Sequence, residues 1–272
     1  MADSITHQQA LDKLAARQLV PVIEDDIARL LGKAISYAKH NAAFDLPGFV
    51  LTNLMLRWNC ILHGTEDEVS ENYQDKTALA LALLLHKHGI VDTDLQQRAC
   101  LAIDRLNAKV ALSDAFFKNS ESIKALLASP AALPKKRPSE RDTVTFLRAQ
   151  DVISLQLAGY YYAAYVHSIS GFNEYPILEL YEGRFVHKPD MLELAGRRAQ
   201  GQTYNDGSKR ISHFGVCGMR HVPDPANQFH LIASGISTRP DNSHLQAATG
   251  LYALSDMFSL QADIMRIFVA DA

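Results

Sequence analysis

From Pro21 to Phe117 the apolar positions recur at helical spacing with hardly a break, and from Gly201 to His244 they do not. Ile23, Ile27, Leu30, Leu31, Ala34, Ile35 and Ala38 form one stripe of an amphipathic helix. Pro21 suits the first turn of that helix, and Glu24, Asp25 and Asp26 suit the positive end of its dipole. Before it, Thr6 and Gln9 have the spacing of a capping box and predict a short helix. After it, Pro47 to His63 is apolar nearly all round, which predicts a buried helix closed by Gly64. Ser70 to His88 predicts another, with Gly89 beyond its end. Asp94 to Leu112 and Ser113 to Ala128 complete the series, the last with a break near Asn119.

The rhythm then changes. Residues 130–142 are rich in proline and lysine and read as a connector. Beyond it, Thr143 to His167 predicts a long helix that tolerates Gly159 and becomes aromatic all round at Tyr160, Tyr161, Tyr162 and Tyr165. Pro176–Arg184 and Pro189–Gln200 read as two short helices, and Ser243–Val269 as a strong closing one. The expected fold is mainly α: a two-lobed bundle of about ten helices. A small β-hairpin or irregular segment is expected near 211–237, with a strand from His213 to Cys217 facing an antiparallel partner from Phe229 to Ser237. The lobes are 1–129 and 143–272, and the second carries an irregular insert over 201–243.

Composition narrows the class without naming a reaction. With 47% hydrophobic and 21% charged residues, the chain is neither disordered nor fibrous. Its first residues lack the basic and apolar regions of a secretory signal, and the longest apolar-rich segment, Phe49 to Leu62, is too short and too polar to span a bilayer. Three well-separated cysteines suit a reducing compartment, so a cytoplasmic location is expected. Net charge is −3 overall, but residues 130–220 carry 12 basic and 9 acidic side chains, a local excess of three positive charges.

Candidate chemistry concentrates where periodicity fails. His213, Cys217 and His221 are spaced by four and could be metal ligands or a thiol–imidazole pair. The flanking Gly215 and Gly218 with β-branched Val216 favour a strand, however, and four strand residues span about 13 Å, too far for one metal. No metal or cofactor is expected, and these three remain weak catalytic candidates. His86 and His88 point apart on a helix and read as dipole partners. The basic set Lys135, Lys136, Arg137, Arg141, Arg197, Arg198, Lys209 and Arg210, with Tyr160–Tyr162, Tyr165 and Tyr204 as stacking faces, could track single-stranded nucleic acid. The simpler reading is a solvated surface over a tyrosine-rich core. Neither GxGxxG, P-loop, HExxH, GxSxG nor EF-hand loop occurs.

The function expected from these observations is a soluble cytosolic binding protein, an adaptor or a partner-neutralising, immunity-like protein rather than an enzyme. It would engage a protein partner through C-terminal loops containing Arg197, Arg198, Lys209, Arg210, Arg220, His221 and Asn242. One alternative is a nucleocapsid-like protein that coats nucleic acid with its basic middle third. Another is an enzyme with a His/Cys site.

Overall fold

The computed structural model describes residues 5–108, 112–132, 138–139 and 144–269. The chain divides into two compact units, Met1–Arg141 and Asp142–Ala272. Residues 133–137 and 140–142 of the expected connector lie outside the described residues.

The first unit is helical, as its periodicity predicts. Its helices are α1 (His7–Asp12), α2 (Leu19–His40), α3 (Leu46–Leu62), α4 (Glu71–Lys87), α5 (Thr93–Ala108) and α6 (Asp114–Ala128). The capping box at Thr6 and Gln9 is present, and Ser70 caps α4. Helix α4 packs against all five others. Its run Ala78–Leu85 is buried at every position, which is why the segment is apolar all round. Two local expectations change. Helix α6 runs unbroken through Asn119, whose side-chain NH2 donates to the Ala115 carbonyl at 2.7 Å. Asp26 lies beyond the first turn of α2 and is not a dipole partner: its Oδ2 accepts from Arg57 Nε at 2.8 Å and from Trp58 Nε1 at 3.0 Å. Trp58 and Arg57 are fully buried, so the one carboxylate satisfies both an interior guanidinium and an interior indole.

The second unit overturns the all-helical expectation. Its core is a six-stranded sheet in the order β7–β1–β2–β3–β6–β8, so the protein is mixed α/β. Together with a two-stranded ribbon of β4 (Gln202–Thr203) and β5 (Lys209–Arg210), it accompanies eight helices among the described residues. The long helix expected over 143–167 is instead two antiparallel strands, β1 (Val152–Leu157) and β2 (Tyr160–Ser170). Leu157 pairs with Tyr160 across the two-residue turn Ala158–Gly159, with φ of 51° and 82°. Positive φ at both positions is the type I′ geometry that matches strand twist. The tyrosines that looked like an all-round aromatic helix are strand formers, alternating between the two faces of the sheet.

The expected helix at 176–184 is strand β3 (Tyr175–Leu180), and that at 189–200 shrinks to α7 (Met191–Leu194), capped by Asp190. The hairpin expected near 211–237 does not form. Strand β6 (Phe214–Cys217) lies between β3 and β8, whereas β7 (Phe229–Ala233) pairs with β1 at the opposite edge. The closing helix begins at Met257, not Ser243. Residues 243–252 are irregular, and β8 (Ala253–Asp256) runs parallel to β6 before α8 (Met257–Val269).

Alternation assigns the faces. Tyr162 lies on the face covered by α8, its ring 4.8 Å from that of Phe268. Tyr161, Ala163 and Tyr165 lie on the other. There Val152, Ala163, Tyr165, Tyr181, Phe185 and Leu194 form a second apolar cluster.

Candidate functional site

Next to that second cluster the sheet places a polar one. Tyr165 pairs with Glu179, and Val166 with Leu178, but Ser168 pairs with Ile177. One residue of β2, His167, is therefore extra, a β-bulge. Two residues on from Tyr165, its side chain shares the face of Tyr165, and the two rings lie 5.0 Å apart. Across β3, Leu178 pairs with Phe214, which brings His213 alongside Glu179. Strands β2 and β3 and the residue just before β6 thus deliver His167, Glu179 and His213 to one spot. Asn242 joins them from the loop after β7, positioned where Ala199 N–H donates to the Asp241 carbonyl at 2.8 Å.

Glu179 is fully buried. Its Oε2 accepts from His167 Nε2 at 2.7 Å, and its Oε1 accepts from Asn242 Nδ2 at 3.1 Å. His213 Nε2 stands 3.7 Å from Oε1, beyond hydrogen-bond length, and this buried nitrogen has no hydrogen-bond partner among the described residues. The two imidazole rings are 4.7 Å apart. Burial alone would push the Glu179 carboxyl up. The contacts of His167, His213 and Asn242, with electrostatic attraction from His167, outweigh it and hold the carboxyl down to about 2. Burial, with Tyr165 and Glu179 nearby, pushes the Tyr181 phenol up to about 12.

The nitrogen and oxygen ligand atoms of His167, Glu179 and His213 all lie within 4.8 Å of one another. In a tetrahedral site with bonds of about 2.0–2.1 Å, neighbouring ligand atoms are about 3.3 Å apart. The observed contacts are 2.7 Å to Oε2 and 3.7 Å to Oε1, two different oxygens, so side-chain movement would be needed to close all three groups on one ion. Both histidines are partly exposed, 15% and 23% by side chain, so solvent reaches the cluster past the imidazoles and not past the carboxylate.

Of the residues singled out in the sequence, His213 and Asn242 belong to this cluster and the others do not. Cys217 ends β6, paired with Asp256, and His221 lies near Phe146 with ring centroids 6.4 Å apart. His213, Cys217 and His221 therefore do not converge as a triad; the partners of His213 come from β2 and β3. His86 lies in the last turn of α4, as expected of a dipole partner, but it is also buried, and its ring nitrogens meet His7 Nε2 and the Ser129 carbonyl, both at 2.8 Å.

The basic residues are mostly engaged locally. Arg197 donates to the Glu193 carbonyl at 2.7 Å and lies over the Phe185 ring. Arg210 pairs with Asp206 at 2.6 Å and lies over Tyr204. Arg198, Lys209 and Arg220 are exposed. Tyr162 and Tyr165 are buried and cannot stack on a strand of bases. Lys135, Lys136, Arg137 and Arg141 lie outside the described residues.

Sequence reasoning missed His167 and Glu179 because both had been placed on helices. Strand alternation through Tyr165 and the isolated Glu179 in an apolar run were the available signals. Among the described residues, no helix is long and apolar enough to cross a membrane. Comparison with protein-family models, with curated proteins and with solved structures finds no match.

Proposed function

We propose that the unit Asp142–Ala272 is a metal-dependent ligand-binding module of catalytic type, holding a divalent transition metal between His167 Nε2, Glu179 and His213 Nε2. The observation that carries this reading is the His213 nitrogen, buried and unpartnered 3.7 Å from a buried carboxylate. A buried polar atom without a partner is costly, and a metal ion would satisfy it. Two imidazoles and a carboxylate suit zinc, iron or cobalt, and three protein ligands leave a position for water or a ligand. In such a centre the metal acidifies its bound water and polarises an oxygen of whatever binds beside it. Asn242, donating to Glu179, orients the carboxylate from outside the ligand set.

The test is metal titration of chelator-treated protein by calorimetry and elemental analysis. One equivalent of zinc or cobalt is expected to bind. His167→Ala and His213→Ala should abolish binding, and Asn242→Ala should weaken it by about 10–100-fold. Failure of zinc, cobalt, iron(II) and manganese alike to bind stoichiometrically would refute the reading. So would binding that survives His213→Ala.

The second reading is the protein partner expected from sequence. It is favoured by Leu251, 85% exposed just before the edge strand β8, and Leu254, 70% exposed within it. A partner that co-purifies with the wild type but not with Leu254→Lys, a variant that keeps its metal titration, would support it. Equal recovery with both would count against it.

A further inference from the structure

The second unit also has an open cavity of about 200 Å³, bounded by residues 211–214 and 248–253 with Gln202 and Tyr204. His213 belongs to both this cavity and the polar cluster. Gly215 explains how they come together. It lies two residues along β6 from His213, on the same face of the sheet. A Cβ on Gly215 would stand 2.7 Å from Cδ2 of the Tyr252 ring, so the missing side chain is what admits that ring. Tyr252 is tied to the same face by the hydrogen bond of its hydroxyl with Ser170 Oγ, 2.9 Å. Tyr252, a wall of the cavity, therefore sits beside the cluster.

The lining states what can enter. It contains no Lys, Arg, Asp or Glu. Arg210 is near, but it is directed to the Tyr204 ring and to Asp206. Apart from the metal proposed at His213, the wall offers no countercharge, so the ring that lies against it is uncharged. The volume equals that of about seven liquid waters, which is room for a single ring. Tyr204 and Tyr252 offer flat aromatic surfaces to such a ring. Polar groups supply an edge. With its side-chain amide oriented so that the oxygen accepts from the Arg266 guanidinium at 2.9 Å, Gln202 presents a polar group to the cavity wall. Ser212 donates to the Arg210 carbonyl at 3.2 Å and keeps its acceptor capacity. Thr249 adds a hydroxyl at the exposed side.

We infer that this cavity is the ligand subsite of the cluster, and that it takes one uncharged ring with a hydrogen-bonding edge, as offered by a nucleoside base or a pyranose. The inference rests on the cluster being a functional centre. With the ring seated beside Tyr252, its nearest residue of the cluster would be His213, which borders both the cavity and the proposed metal.

The test uses the full chain, zinc-loaded and chelator-treated, with adenosine, uridine and methyl glucopyranoside as probes in saturation-transfer NMR. At least one probe is expected to bind, and the pattern separates base from sugar. Thr249→Trp, which places an indole at the exposed side of the cavity, should abolish probe binding while zinc still titrates to one equivalent. Gln202→Ala, the milder change, should weaken it by about five- to tenfold. Zinc binding with no transfer to any probe, or probe affinity unchanged in both variants, would overturn the subsite and leave the metal centre standing. Probe binding that is lost in Thr249→Trp although zinc never binds would uphold the subsite and remove the metal.

Discussion

Replacing Glu179 by glutamine separates the charge of the site from its shape. The carboxyl has an ordinary value of 4.5 and is held at about 2 in the folded protein. At about 1.4 kcal/mol for each tenfold change in proton affinity, that gap corresponds to about 3 kcal/mol of stability. The folded value is the lower one. The carboxylate therefore stabilises the fold above about pH 4.5, and the contribution disappears as pH falls toward 2. Glutamine cannot ionise, so Glu179→Gln should be less stable than wild type by about 3 kcal/mol near neutral pH. The difference should shrink steadily below pH 4.5. Other carboxylates titrate in both proteins and cancel in the comparison. The assay is equilibrium urea unfolding in the presence of a chelator, followed by tyrosine near-ultraviolet circular dichroism. Eight of the ten tyrosines lie in Asp142–Ala272, whereas the single tryptophan lies in Met1–Arg141, so Trp58 emission monitors the other unit as an internal control. If the two proteins lost stability in parallel between pH 4.5 and 2, the charge of Glu179 would not be what its neighbours hold in place.

Two further outcomes concern the first unit. Trp58→Ala should cost about 3–5 kcal/mol, because a fully buried indole is removed and Asp26 loses a donor; native emission resembling indole in water would contradict this burial. His7 and His88 are both held below their ordinary 6.5, His7 by burial and the nearby His86 and Lys87, His88 by burial, Lys87 and His7 against an opposing Glu24. Their neutral forms are the ones the fold accepts, so stability should fall as pH drops through 6.5 toward the lower folded values. Thermal melts followed by Trp58 emission at about pH 7.5 and about pH 5.5 should differ, with the acid melt lower and His7→Gln reducing the gap. Equal melting temperatures would refute it.

The first unit was legible because each of its helices states its own case. Capping residues at Thr6 and Ser70, and stripes such as Ile23 to Ala34, are local signals that tertiary packing only confirms. The second unit hid its strands behind residues common to both elements. Ala158–Gly159 is a two-residue turn without the asparagine or aspartate that usually advertises one, so β1 and β2 read as one continuous helix. Residues 211–237 did look extended, but sequence proximity suggested a hairpin where the fold inserts three strands between β6 and β7. The site was half visible. His213 and Asn242 stood out in the irregular stretch. His167 shares the face of Tyr165 by strand alternation, a pattern legible only once the segment is read as a strand, and Glu179 owes its surroundings to pairing with strands from two other parts of the chain. That pairing leaves no mark in the local sequence.

The order in which the sheet's strands lie has a consequence in time. A ribosome delivers β1, β2 and β3 first, and these three can pair as a meander as soon as residue 180 emerges. That nascent sheet already carries His167 and Glu179, yet it is chemically incomplete. His213 arrives more than thirty residues later and Asn242 later still, and the strand that borders β6 on its outer side comes last. Until then the Glu179 carboxylate and the His167 imidazole lie on an unfinished sheet edge. A metal bound there, as proposed, could be fully ligated only after His213 has been translated.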